Sequence, residues 1–284
     1  VFSTNRMLLG FALDVESVGK VDKSSLSQNI LMELLLSKIE NKESVMRTGG
    51  DFWGVTFDED TGNFTKIDWR WKGLIGELDV QWMPQSVNEI DVWENRLFGT
   101  INFGSLPDTM RLMSLAANQL SGSIVCKDLP AALIHLNASD NRFEGSMHLD
   151  ELPRTLLTLY AHKNSLSGTL CLRQLPPNLQ NLGLYQNGFH GPICLVSLPK
   201  SLRMLLLSHN QLSGCVDLQY LPRNIDHVNL SHNRFDGECV LRQLPNDSAF
   251  IYLSGNPLTG NLTLSHGELH RVVTGDTKIT KETV

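Results

Sequence analysis

Nine histidines, five cysteines and a scatter of tyrosines and tryptophans are the side chains of this 284-residue chain best equipped for chemistry, and their spacing decides which chemistry. His209 and His232 stand 23 residues apart, and His135, His162 and His227 keep similar company. Imidazole pairs hold zinc when a thiolate or carboxylate completes the set, and none stands beside these, so no metal site is expected. No G-x-S-x-G, H-E-x-x-H, P-loop or G-x-G-x-x-G motif occurs. Glu89 and Asp91 lack the apolar surroundings that would raise a carboxyl pKa for acid–base work. The expectation is a non-enzymatic protein without a cofactor. Cys126 and Cys239 read as small buried hydrophobes. Cys171 and Cys194, 23 residues apart, would be column neighbours about 5 Å apart on stacked strands, close enough for a disulfide. An odd cysteine count makes a wider disulfide framework implausible.

The same interval governs the whole chain. Prolines at 84, 107, 130, 153, 176, 199, 222 and 245 are each 23 residues from the next. The ruler also passes through asparagines at 95, 118, 141, 164, 187, 210, 233 and 256, and through glycines from Gly99 to Gly260. A fixed period of this size means one supersecondary unit stacked on copies of itself. The unit reads LxxLxLxxNxLxGxIxLxxLPxx, as in Leu202, Leu205, Leu207, Asn210, Leu212, Val216, Leu218, Leu221 and Pro222. Leucines flanking one residue have period-2 spacing and predict a short strand. The asparagine follows, where the chain turns and its amide can satisfy backbone groups otherwise buried unpaired. Glycine four residues later marks a tight bend or a close approach of coils. Leu-Pro on the far side argues against a crossover helix and for a thin back of extended and 3₁₀ pieces.

These repeats resemble the leucine-rich repeat, and particularly the plant-type N-x-L-S-G-x-I form seen at Asn118–Ile124 and Asn164–Leu170. The resemblance covers about residues 60–264. One departure is that the family's I-P after the glycine is I-x-L here, with proline displaced to Leu-Pro. The resemblance implies a right-handed α/β solenoid with a parallel concave β-sheet, a thin convex side and an N-terminal helical cap. It further implies recognition or adhesion in place of catalysis.

Three regions follow: an extension and capping helix over 1–60, nine repeats over 61–264, and a C-terminal cap or tail over 265–284. The first repeat is degenerate, with Lys72 in the asparagine position. Asp51–Phe57 is similar to the W-x-G-V-x-C stretch of plant-type caps, with Phe57 replacing cysteine. Ser24 or Ser25 is expected to cap a helix whose Leu26, Ile30, Leu31, Leu34, Leu35 and Ile39 share one face. Met7–Leu13 forms an apolar patch too short to span a membrane.

Strand residues that alternate with the buried leucines should face the concave surface. Trp93, His135, Tyr160, His162, Tyr185, Met204, Leu206, His227, Phe250 and Tyr252 are the candidate partner-binding side chains, because aromatic residues bury much area for few lost rotamers. The expected partner is a protein or peptide; a carbohydrate would suit the same residue types. A net charge of −6 without a basic stripe argues against nucleic acid, and no stretch is apolar enough for a transmembrane helix. Five N-x-S/T sequons, at Asn63, Asn137, Asn229, Asn246 and Asn261, exceed the roughly two that composition would supply. They favour a secreted or cell-surface protein. The alternative is a structural subunit of an intracellular or organellar multi-subunit complex, docked through its ends and tails.

Overall fold

The computed structural model describes residues 22–241 and 243–283, so the Met7–Leu13 patch lies outside the described residues. Short strands form two parallel stacks around one core. The larger stack is an eleven-stranded sheet. It begins with Val55–Phe57, antiparallel to Phe64–Asp68, and continues in parallel to Val272–Val273. Facing residues are 23 apart, from Lys66↔Glu89 through Thr158↔Asn181 to His227↔Phe250. Leu202, Leu205, Leu207, Leu212, Val216, Leu218 and Leu221 are all buried, as their spacing predicts. Each fully buried leucine contributes about 1.5–3 kcal/mol, so the stacked columns supply most of the driving force.

Beyond each strand the chain turns through a left-handed residue. Trp71, Glu94, Ala117, Asp140, Lys163, Gln186, His209 and His232 all have φ between 52° and 56°. This conformation is costly without glycine, and from Glu94 onward the following asparagine holds it in place. Asn164 Nδ2 donates to the carbonyls of Ala138 (3.0 Å), Ala161 (3.1 Å) and His162 (3.2 Å), while its Oδ1 accepts from the Phe143 N–H (2.9 Å). Asn118, Asn141 and Asn210 repeat the pattern, so each amide ties its own turn to the coil before it.

The second stack is an eight-stranded sheet running from Ile75–Glu77 to Arg234–Phe235. Where a tight bend or a close approach of coils was expected at the glycine, the x-L-x-G run after the asparagine is itself a strand. The glycines from Gly99 to Gly214 adopt φ of +79° to +88° within it. A Cβ on Gly122 would lie 2.9 Å from Thr100 Cγ2, so the glycine also permits the close approach of coils. Here the facing residues are 21 apart, as in Phe98↔Gln119, Ser167↔Gly188 and His190↔Gln211. The convex side is thin: 3₁₀ turns at Val80–Trp82, Phe103–Ser105, Cys126–Asp128, Leu149–Glu151 and Leu218–Tyr220 lead straight into the Met-Pro or Leu-Pro corners. A second ladder stitches those corners. Thr109, Thr155 and Ser201 each place a hydroxyl 2.8–3.1 Å from two carbonyls of the preceding coil.

At the N-terminal end a helix, Gln28–Leu35, buries Leu31, Met32 and Leu35. Its cap is Ser27, whose Oγ accepts from the Ile30 N–H, in place of the expected Ser24 or Ser25. Those two serines are spent in a 3₁₀ turn capped by Asp22, which delays the helix by several residues and leaves Ile30 exposed. Asn41 fastens the cap to the first coil by donating to the Gly73 carbonyl and accepting from the Ile75 N–H, both at 2.9 Å. At the other end, Lys278–Thr283 pairs in parallel with Thr259–Leu264. No helix among the described residues is long and apolar enough to cross a membrane.

Candidate functional site

Because each concave strand from Phe64–Asp68 to Phe250–Tyr252 advances by one full repeat, side chains at equivalent positions line up in columns across the sheet. Two aromatic groups form on it. Tyr160 lies over Gly183, where an added Cβ would come within 2.7 Å of its ring, and meets His162 edge-on at 6.0 Å. His162 stacks on Tyr185 with centroids 4.1 Å apart and planes 13° apart. Glycine at 183 is therefore what makes room for the tyrosine. Farther along, His227 packs on Tyr252 at 5.0 Å, and Phe250 meets His270 edge-on at 6.5 Å. Met204 faces Asn181 and His227, and Leu206 faces Gly183 and Asn229, so this half-buried apolar pair joins the two groups. His135 stands exposed on the N-terminal side of Tyr160.

Burial lowers the pKa of His162, with the Lys163 charge adding to the effect, and burial also lowers that of His227. It raises the phenols of Tyr160 and Tyr185. At neutral pH this stretch is an uncharged polar-aromatic surface. His209 and His232 stack at 4.3 Å with planes 15° apart, so their rings lie parallel and do not converge on a shared ligand. Among the described residues no three His, Cys, Asp or Glu side chains gather around a metal-sized gap.

The first two coils differ. Arg70 grips Asp68 through Nε (2.9 Å) and an Nη (2.7 Å), and Lys66 pairs with Glu89 at 3.0 Å. The Arg70 hydrogen bond holds the Asp68 carboxyl below its ordinary value. Trp93 packs on Trp71 at 4.7 Å, and Trp71, 59% exposed, donates its indole N–H to Glu94. Sequence reading missed Trp71 because Lys72 disguises the first coil; its place just before the asparagine column was the available signal. His270 was missed because the tail carries no repeat.

The sequon asparagines Asn137 and Asn229 lie on concave strands, each with Oδ1 accepting from the N–H and hydroxyl of the serine two residues on. Asn63 accepts from Gln28, Asn246 donates to the Arg223 and Ile225 carbonyls, and Asn261 is exposed on the Thr259–Leu264 strand. All five cysteines are free thiols, Cys171 and Cys194 included. The expected column relation fails for that pair because they follow the second sheet. There the register Thr169↔His190 sets Cys171 level with Pro192 instead of Cys194. Burial pushes Cys126 up to about 12 and Cys239 up to about 11, so both thiols are unreactive.

Among solved structures the chain is similar to the leucine-rich-repeat ectodomain of the plant membrane receptor kinase GASSHO1/SCHENGEN3 from Arabidopsis thaliana, determined in complex with CASPARIAN STRIP INTEGRITY FACTOR 2. The TM-score is 0.66 at 18% identity, over 89% of this chain and 36% of the receptor's. It is also similar to PEPR1 in the PEPR1–AtPEP1 structure (TM-score 0.57, 19% identity, 83% and 42% of the two chains). A plant ice-binding protein matches along nearly its full length (TM-score 0.62, 17% identity, 90% and 97%). The chain thus spans less than half the length of the GASSHO1/SCHENGEN3 and PEPR1 chains. No family model matches the sequence, and no curated protein matches it either. At these identities the shared property is the fold, which is the leucine-rich repeat solenoid.

Proposed function

We propose that this chain is a non-enzymatic recognition module that binds a protein or an extended peptide along its concave sheet, in a secreted or cell-surface setting. The observation that carries the reading is the continuous uncharged run from Tyr160 through Tyr185, Met204 and Leu206 to Tyr252, where pre-stacked rings offer area with little entropy left to lose. The GASSHO1/SCHENGEN3 ectodomain, of the same fold and determined in complex with CASPARIAN STRIP INTEGRITY FACTOR 2, supports it. Replacing both Tyr160 and Tyr185 by Ala tests it: retention of a partner from the protein's native extract should fall while the melting temperature holds. An unaltered retention would refute the assignment.

Exposure at the other end supports a second reading, a structural subunit that docks end-on. Trp53, 49% exposed, lies just before the outermost strand of the concave sheet, and Phe57, 57% exposed, ends it. Under that reading Trp53→Ser with Phe57→Ser abolishes incorporation into an assembly, and the tyrosine variants do not. An ice-binding role finds less support, because Arg96, Arg142, Glu144, Arg234 and Asp236 interrupt the second sheet's outer face with exposed charges.

A further inference from the structure

On the N-terminal side of the aromatic run the concave face dips into a shallow depression of about 330 Å³. Lys66, Glu89 and Asp91 bound it on one side and Tyr160 on the other, over a floor that includes Leu112, Ser114 and Asn137. The dip exists because Ser114, facing Asp91 of the preceding coil and Asn137 of the following one, is a short side chain in a column that carries a ring at Tyr160.

The charges around this space are unequally engaged. Lys66 is held by Glu89 and Arg70 by both oxygens of Asp68, so an incoming anion meets two cations already paired. Asp91 is different. Its Oδ1 accepts from the Trp93 N–H at 3.0 Å, but its Oδ2 has only Arg70 Nε at 3.6 Å, beyond hydrogen-bonding distance. The Asn137 Oδ1 is committed to the Ser139 N–H and hydroxyl, so its amide N–H groups are what the side chain offers a ligand.

We infer that the depression seats a basic side chain, arginine or lysine, of an extended peptide whose remaining residues run over the aromatic face. The cationic head meets Asp91 Oδ2, the aliphatic stem lies on Leu112, and the Asn137 amide donates to the peptide main chain. This inference rests on the peptide-recognition reading above. It adds a spacing rule: Asp91 and Tyr160 share a column three coils apart, about 14 Å at the inter-strand spacing, which equals about four residues of extended chain. A ligand should therefore carry its basic residue about four positions from the residue that packs on Tyr160.

An array of immobilised peptides, with one position varied over the natural amino acids on apolar-aromatic backgrounds, tests this against the wild type, Asp91→Asn and Tyr160→Ala/Tyr185→Ala proteins. The expected result is about tenfold stronger retention of Arg and Lys peptides than of their Gln counterparts, abolished in Asp91→Asn. Asparagine keeps the acceptor for the Trp93 N–H, and an unchanged melting temperature checks that the fold survives. Peptides that bind without a basic preference, or a preference that survives Asp91→Asn, overturn the seat and leave concave recognition standing. If no peptide is retained above the level of the double tyrosine variant, concave peptide recognition itself fails, and the seat with it.

Discussion

The asparagine column and the concave column four residues before it belong to the same turn of chain, yet they obey opposite rules. The first is Asn in eight consecutive coils, and the amide binds both its own turn and the neighbouring coil. The second reads Asp91, Ser114, Asn137, Tyr160, Gly183, Leu206, Asn229 and Tyr252. What faces the interior is dictated by unpaired backbone groups that water cannot reach. What faces the hollow is released from that demand, and its variety is where binding specificity can reside.

Removing an interior amide should do the greatest damage. Asn210→Ala strands the Phe189 N–H and the Leu184, Leu207 and Ser208 carbonyls inside the protein, and should cost about 3 kcal/mol or more in denaturant unfolding. A loss below about 1 kcal/mol would mean that water replaces the ladder. Next comes Gly76→Ala. Its φ is +126° and a Cβ would sit 2.2 Å from the Lys38 carbonyl oxygen, so the cap should detach at a cost of about 2 kcal/mol or more, read as protease sensitivity near residues 38–46. On the outward column, Tyr160→Ala should alter stability by no more than about 1 kcal/mol while weakening partner binding about tenfold or more. Unfolding of that variant would erase the contrast.

The smallest effect concerns pH. Burial holds His162, His209 and His227 below the ordinary imidazole value of 6.5, with the His232 charge adding to the effect on His209. The unfolded chain then binds more protons than the native one, so stability should fall as pH drops below 6.5 toward the lowered native values. His162→Gln should flatten part of that slope in melting experiments at pH 7 and pH 5. An identical slope in the variant would show that its ring is not the group responsible.

The coil's period, its inward leucines, the asparagine ladder and the concave columns were legible because each repeats a strong residue preference at fixed spacing. The second sheet was not, because its strand mixes one buried leucine with small polar residues and a glycine, a pattern that reads equally well as a bend. The left-handed column escaped notice for a different reason. Glu94, Lys163 and His209 have no side-chain property in common, and their conformation is held by the asparagine amide that follows. Asn41 and the Thr109–Thr155–Ser201 ladder were invisible for want of a repeated residue type. At the candidate site the aromatic members could be listed, but their grouping into stacks depended on Gly183, whose role emerges only once Tyr160 has been placed over it.

The two sheets also keep different time. Moving one coil along the hollow, a straight ligand meets the same position of the next repeat. Moving one coil along the second sheet, it meets a position two residues earlier, a drift of about 7 Å of extended chain. Only the hollow can act as a ruler for a linear molecule. A concave groove lengthened by copying whole 23-residue units would keep reading in phase, whereas any pattern laid on the other sheet would wind away from a straight template.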